Sequence, residues 1–339
     1  MGVLLPKLGM PKDPILWSAR ALVEEKYHPI VVQAHRAYID AGATAIIANS
    51  YAVIPGYLRK AKLEAETPRL AALAGQLARE AAGPKGGDVL VLGSLPPLID
   101  SYRADLLLPE AEAVSWYAML ARAMAPYVDL FVCETMSCPE EAASALLGLK
   151  EGCPDGKAWV CFAVDSEGKC RDGTPFNVAV RQLSTSSHVS GVGVNCCIPE
   201  AVELAVATLD SDPQASAFAS SVERVVYANA YPKEHNEGVK FNTENLDDED
   251  VRKDLTAEHY AESAKKWANR STLPFTFIGG CCGILPHHIK LVAASLKPKQ
   301  RADTGRPTQH PQASPSSGSI PKQPKHGGGG GGSGFNGGG

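Results

Sequence analysis

From residue 43 onward the chain repeats one unit, a short and almost wholly apolar run followed by a stretch of helical periodicity. The runs cover 43–48, 88–92, 129–133, 158–164, 189–194, 224–228 and 275–278. Helical patterns come after them at 68–82, 109–127, 138–150, 176–183, 199–209, 256–268 and 287–296, and a further one at 30–39 precedes the first run. In 109–127, for example, Val114, Tyr117, Leu120 and Met124 recur at spacings of three and four. Strands that are apolar throughout, rather than alternating, belong to a sheet covered on both faces. Seven such strands, each followed by a helix, predict a parallel α/β fold. With one more strand at the start the pattern is that of a (β/α)8 TIM barrel, whose active site lies at the carboxyl ends of its strands. An open doubly wound sheet would show the same alternation, but no glycine-rich phosphate loop follows the first strand.

The residues at those strand ends are Tyr51, Ser94, Glu134, Asn195, Cys196, Asn229, Cys281 and Cys282. Two stretches stand out among them, Gly193-Val194-Asn195-Cys196-Cys197 and Gly279-Gly280-Cys281-Cys282-Gly283. Each closes an apolar run and is followed by proline and a helix, so a parallel sheet would bring the thiols together as a candidate metal site. Adjacent residues on a regular strand point to opposite faces. Cys281 and Cys282 can therefore share one ion only if the chain leaves strand geometry between them, a turn that the flanking glycines permit. No glycine directly follows Cys196-Cys197, so one member of that pair is expected to be a ligand and not both.

Composition narrows the class of protein. With 339 residues and 44% hydrophobic content the chain can bury a large core, and a net charge of −4 without a long basic run argues against a nucleic-acid partner. No apolar stretch reaches the roughly 20 residues of a membrane span, and the amino terminus does not resemble a signal peptide. A cytoplasmic location is expected, with the nine cysteines reduced and available for metal. After residue 298 Lys, Pro, Ser, Gln and finally Gly dominate. The expected organisation is one barrel domain over 1–298 and a disordered tail over 299–339.

Over 16–296 the sequence resembles the homocysteine S-methyltransferase family. The resemblance is carried by Gly193-Val194-Asn195-Cys196 and Gly279-Gly280-Cys281-Cys282-Gly283, the family's three-cysteine zinc signature. Asn49-Ser50-Tyr51, Gly93-Ser94-Leu95-Pro96-Pro97 and Cys133-Glu134-Thr135-Met136 support it. It implies a zinc-dependent barrel that methylates homocysteine to methionine, with Cys196, Cys281 and Cys282 as metal ligands and Glu134 on the substrate amino group. Tyr51, Asn195 and Asn229 complete the expected substrate-binding set, and no catalytic residue beyond the zinc centre is expected.

Three thiolates leave a fourth zinc position open, which the homocysteine thiol can fill as a thiolate near neutral pH. The donor would be a small cation, S-methylmethionine or S-adenosylmethionine, drawn to a negative centre and to the aromatic face of Tyr51. Two departures from the family pattern are visible. The family opens with a strand ending in Asp-Gly-Gly, whereas Met1-Gly2-Val3-Leu4-Leu5 matches the segment just past that motif, so the first strand is expected to be missing or truncated. Tyr227-Ala228-Asn229-Ala230 stands where the family has Tyr-Pro-Asn-Ser. A zinc-binding barrel without turnover is therefore the alternative reading. The homocysteine half of a cobalamin-dependent synthase is another, but no residues remain to build its other modules.

Overall fold

Seven strands lie side by side in chain order as one parallel sheet. They are β1 (Ala45–Ile47), β2 (Leu90–Leu95), β3 (Leu130–Met136), β4 (Ala158–Phe162), β5 (Val189–Asn195), β6 (Glu223–Tyr227) and β7 (Phe277–Ile278). The computed structural model describes residues 1–233 and 251–296, so the tail expected over 299–339 lies outside the described residues. The principal helices are α1 (His28–Asp40), α2 (Thr67–Ala82), α3 (Glu110–Met124), α4 (Pro139–Gly152), α5 (Phe176–Leu183), α6 (Pro199–Asp210), α7 (Pro213–Ser221), α8 (Ala257–Ala268) and α9 (Pro286–Ser295). Parallel neighbours that are consecutive in sequence require a crossover each time, and helices supply it. The result is an α/β sheet of the TIM-barrel type. No helix among the described residues is long and apolar enough to cross a membrane.

Local chemistry explains where the helices begin. Proline occupies one of the first two positions of α1, α2, α4, α6, α7 and α9, where its missing N–H costs nothing and its fixed φ suits the first turn. The Asp212 carboxylate caps α7 by accepting from the Gln214 and Ala215 amides. That helix was not expected from sequence. Only Ala215 and Ala219 of its nine residues are buried, so it has no apolar stripe to announce it.

The sheet separates two cores. Outside it, against the helices, lie Trp267, Tyr117, Tyr260, Phe131, Phe162 and Phe176, all fully buried. Inside the curl lie Leu92, Val132, Trp159, Cys161, Val225 and Tyr227. Strand periodicity places Glu134 on the same inward face as Val132. Two glycines of β5 make room within: a Cβ on Gly191 would sit 2.4 Å from the Trp159 ring, and one on Gly193 only 1.7 Å from the Val225 carbonyl oxygen.

At the amino terminus residues 4–7 form a single helical turn and 17–23 form short helical turns. No strand precedes β1 among the described residues, in line with the departure from the family pattern at the amino terminus. β1 pairs only with β2, and β7 only with β6. The sheet still curls far enough for its first and last helical units to meet, where the Tyr38 hydroxyl donates to the Ile284 carbonyl at 3.0 Å. The inner face is less covered at this seam. Ala45, Ile47 and both residues of β7 are half-buried, whereas every residue of β4 is buried.

Candidate metal centre and substrate pocket

Strands β5, β6 and β7 end side by side, and the loop after β6 laces its two neighbours together. The Cys196 amide donates to the Tyr227 carbonyl (3.0 Å), and the Cys281 amide to that of Ala228 (2.9 Å). The Ala230 amide donates to the Cys282 carbonyl at 2.9 Å. The Asn229 side-chain amide donates to the Cys196 carbonyl, also at 2.9 Å. Cys196 itself adopts φ +48°, which turns it out of line with β5, and Gly283 at φ +79° closes the turn after Cys281-Cys282. The sulfurs of Cys196, Cys281 and Cys282 consequently converge within 4.8 Å of one another. Cys197 faces the other way, fully buried in the outer core, where burial pushes its thiol up to about 12. One member of that pair joins the cluster, and it is Cys196.

Three thiols this close cannot all ionise unaided. Cys196 is favoured as the first thiolate, stabilised by hydrogen bonds from Cys281, Cys282 and the Tyr102 hydroxyl. The charge it carries helps hold the Cys281 and Cys282 thiols well above their ordinary range. A divalent cation removes this conflict. Cys196 and Cys282 sulfurs are 3.7 Å apart, close to the ~3.8 Å edge of a tetrahedron built on thiolate–zinc bonds of ~2.3 Å. The donor set therefore suits a metal ion that prefers sulfur. A second grouping, Cys138 with Glu140 and Asp172, has two exposed carboxylates and lacks this all-thiol character.

The other expected residues surround this cluster in different ways. Glu134 is 5% exposed and accepts from the Ser94 hydroxyl at 2.5 Å. Burial pushes its carboxyl up to about 7 against that hydrogen bond, with the nearby Cys196 thiolate adding to the rise. The Tyr51 hydroxyl is 2.6 Å from the Ser101 hydroxyl, and its ring meets Trp17 edge-on at 5.9 Å. Asn195 and Asn229 act on backbone. The Asn195 carbonyl accepts from the Thr135 amide (2.7 Å) and its NH2 donates to the Thr135 hydroxyl (2.9 Å). The Asn229 carbonyl accepts from the Tyr231 amide at 3.1 Å. Each thus positions a neighbour of the site.

Sequence reasoning missed two contributors. Thr135 stands at φ +61° in a register shift of β3 between Cys133 and Met136. Tyr102 stands at φ +65° and donates to the Cys196 sulfur at 3.0 Å, with the Arg171 guanidinium 4.7 Å from its ring centre. Neither lies at a spacing that marks it in the sequence, since the partner in each case comes from a distant segment.

Comparison with known proteins places the chain in a family. The family model for homocysteine S-methyltransferase matches residues 1–296. The homocysteine S-methyltransferase YbgG of Bacillus subtilis is 27% identical over 87% of this chain and 91% of its own length. The S-methylmethionine–homocysteine S-methyltransferase BHMT2 of Pongo abelii is 28% identical over 88% of this chain and 77% of its own. Among solved structures, the metallated form of the homocysteine methyltransferase MmuM of Escherichia coli is similar with a TM-score of 0.65. It is 26% identical, and the match covers 86% of this chain and 92% of that one. This chain belongs to the homocysteine S-methyltransferase family.

Proposed function

We propose that this protein transfers a methyl group from S-methylmethionine or S-adenosylmethionine to the thiol of homocysteine, giving methionine, at a zinc ion held by Cys196, Cys281 and Cys282. The convergence of these three thiols at the carboxyl edge of a parallel sheet is the observation that carries the reading. Bound there, zinc would lower the pKa of the incoming homocysteine thiol and keep its sulfur nucleophilic. The buried Glu134 carboxylate, oriented by Ser94, takes the substrate's ammonium group, and this ion pair offsets its desolvation. Asn195 holds Thr135, and thereby the end of β3 that presents Glu134. Asn229 and Tyr102 hold Cys196 by its carbonyl and its sulfur. An anionic thiolate cluster favours a cationic donor over a neutral one, and Tyr51 offers an aromatic face. The name of the Pongo abelii relative supports S-methylmethionine in particular.

The test combines metal content with a product assay on the full chain, using homocysteine with S-methylmethionine, S-adenosylmethionine and glycine betaine in turn. Methionine should form with a sulfonium donor, on protein carrying one zinc. Cys196→Ser, Cys281→Ser and Cys282→Ser should each lose the metal and the activity, while Cys197→Ser keeps the zinc. Retention of zinc by Cys196→Ser together with its loss from Cys197→Ser would refute the ligand assignment. The alternative, a barrel that holds zinc without turnover, draws on the half-buried inner face at β1 and β7. Full zinc occupancy with no methionine from any donor would favour it.

A further inference from the structure

Three loops at the carboxyl edge of the sheet meet beside the thiol cluster. Tyr102 comes from the loop after β2, Arg171 from the loop after β4 and Cys196 from the end of β5. Antiparallel bridges join Val164 to Cys170 and Lys169 to Pro175, so the chain doubles back twice and Arg171 lies in the second turn. The Arg171 amide donates to the Ser137 carbonyl at 2.8 Å, which pins that turn to the end of β3. Its guanidinium centre is 4.7 Å from the centre of the Tyr102 ring, inside the ~6 Å reach of a cation–π contact. Burial opposes the Arg171 charge, and Tyr102 and Cys196 are among the groups that favour it. The Tyr102 hydroxyl is 3.0 Å from the Cys196 sulfur and 3.2 Å from the Cys196 carbonyl oxygen. It has one proton to give. The carbonyl already accepts from the Asn229 side chain at 2.9 Å, and an anionic sulfur attracts the proton more strongly than a neutral carbonyl does. A cation against the ring face draws electron density from the phenol and makes its O–H a stronger donor.

We infer that Arg171 is a positioning residue for the metal centre, acting through the Tyr102 ring to strengthen the hydrogen bond that Tyr102 gives the Cys196 sulfur. That bond fixes the direction of Cys196 and draws electron density from its sulfur, as the partners of metal ligands do. A sulfur that donates less leaves more of the metal's pull for the thiol in the fourth position. This assignment rests on the reading that Cys196, Cys281 and Cys282 hold one metal ion.

The probe is Co2+, loaded in place of zinc into the full chain, because its thiolate-to-metal charge-transfer band reports the energy of the sulfur electrons. Removing a hydrogen bond from a thiolate raises those electrons and moves the band to longer wavelength. Tyr102→Phe and Arg171→Met should both move it that way, Tyr102→Phe the further. Arg171→Lys, which keeps a cation at the ring, should stay near the unmodified protein. In competition with a chelator, Tyr102→Phe should weaken zinc binding by about tenfold or more, and Arg171→Met by about fivefold. In a Tyr102→Phe background, Arg171→Met should change zinc affinity by less than about twofold and leave the band in place. Where Arg171→Met does not fold, Arg171→Gln removes the charge but keeps a polar head, and the same shifts are expected of it. A band unmoved by loss of the charge, or an Arg171 effect that persists in full without the hydroxyl, would overturn the role of Arg171 alone. Failure of the unmodified protein to bind Co2+ or zinc would instead overturn the metal centre, and this assignment with it.

Discussion

Thr135, Cys196 and Tyr102 all adopt left-handed backbone, at φ +61°, +48° and +65°. For a β-branched residue such as Thr135 this is a strained conformation, sustained only where surrounding contacts over-determine it. The clamp from Asn195 and the register shift in β3 supply those contacts, and they set the direction of the preceding Glu134. The carboxyl of Glu134 is itself held at a cost. Burial takes it from the ordinary 4.5 up to about 7, so the folded state holds its proton more tightly than the unfolded chain does. The stability associated with that proton is fully present below about pH 4.5 and is lost as pH rises through about 7. The difference is on the order of 3 kcal/mol. In metal-free, substrate-free protein the melting temperature of Glu134→Gln should therefore climb relative to the unmodified protein between pH 4.5 and 7, and then level off. Parallel profiles for the two proteins across that window would mean that Glu134 is ionised at no cost.

Among the elements, the strands of the parallel sheet were the most legible part of the chain. Each had to be apolar on both faces, and such runs are hard to confuse when glycine and proline bound them. The two cysteine loops were legible because each Cys-Cys pair closes an apolar run, and the glycines flanking Cys281-Cys282 permit the turn that this pair needs. Features that depend on contacts between distant segments escaped. Nothing near Thr135 announces that Asn195, 60 residues on, will fix it, and nothing near Tyr102 points to Cys196, 94 residues away. The amino-terminal turns and α7 escaped because they bury too little to leave a periodic pattern. Gly193 joins the legible and the illegible parts, since its place in the motif was plain and its reason was not. A Cβ there would press on the Val225 carbonyl at 1.7 Å, backbone that cannot step aside without parting β5 from β6. Gly193→Ala should cost ~3 kcal/mol or more in urea unfolding and should release zinc, because Cys196 lies at the end of the same strand. Gly173→Ala, where φ is +86° but nothing lies within 4 Å of the added carbon, should cost only about 1 kcal/mol and keep the metal. If the two variants lose stability equally, the close approach of β5 and β6 is not what requires glycine at Gly193.

Across the whole molecule, cover over the sheet falls from its middle toward its two ends. β4 is buried at every residue, β1 at one of three and β7 at neither of its two. The candidate metal cluster spans this gradient, with Cys196 following the well-covered β5 and Cys281 and Cys282 following β7. A metal that ties the three sulfurs together would therefore fasten an end strand to the interior of the sheet. Local opening governs amide exchange wherever its free energy is lower than that of global unfolding. In metal-free protein the amides of β4 and β5 should exchange slowest. Those that tie the end strands to the sheet, Ala48 to Leu92 and Gly279 to Val226, should exchange much faster. Zinc should then slow exchange at Gly279 and Cys281 by about tenfold or more, since binding adds its free energy to every opening that breaks the site. Ala48, in the loop after β1 and outside the cluster, should change less. Equal slowing at both ends would show that the metal stabilises the barrel globally. No slowing at Gly279 would show that the thiols do not join β7 to β5 through a shared ion.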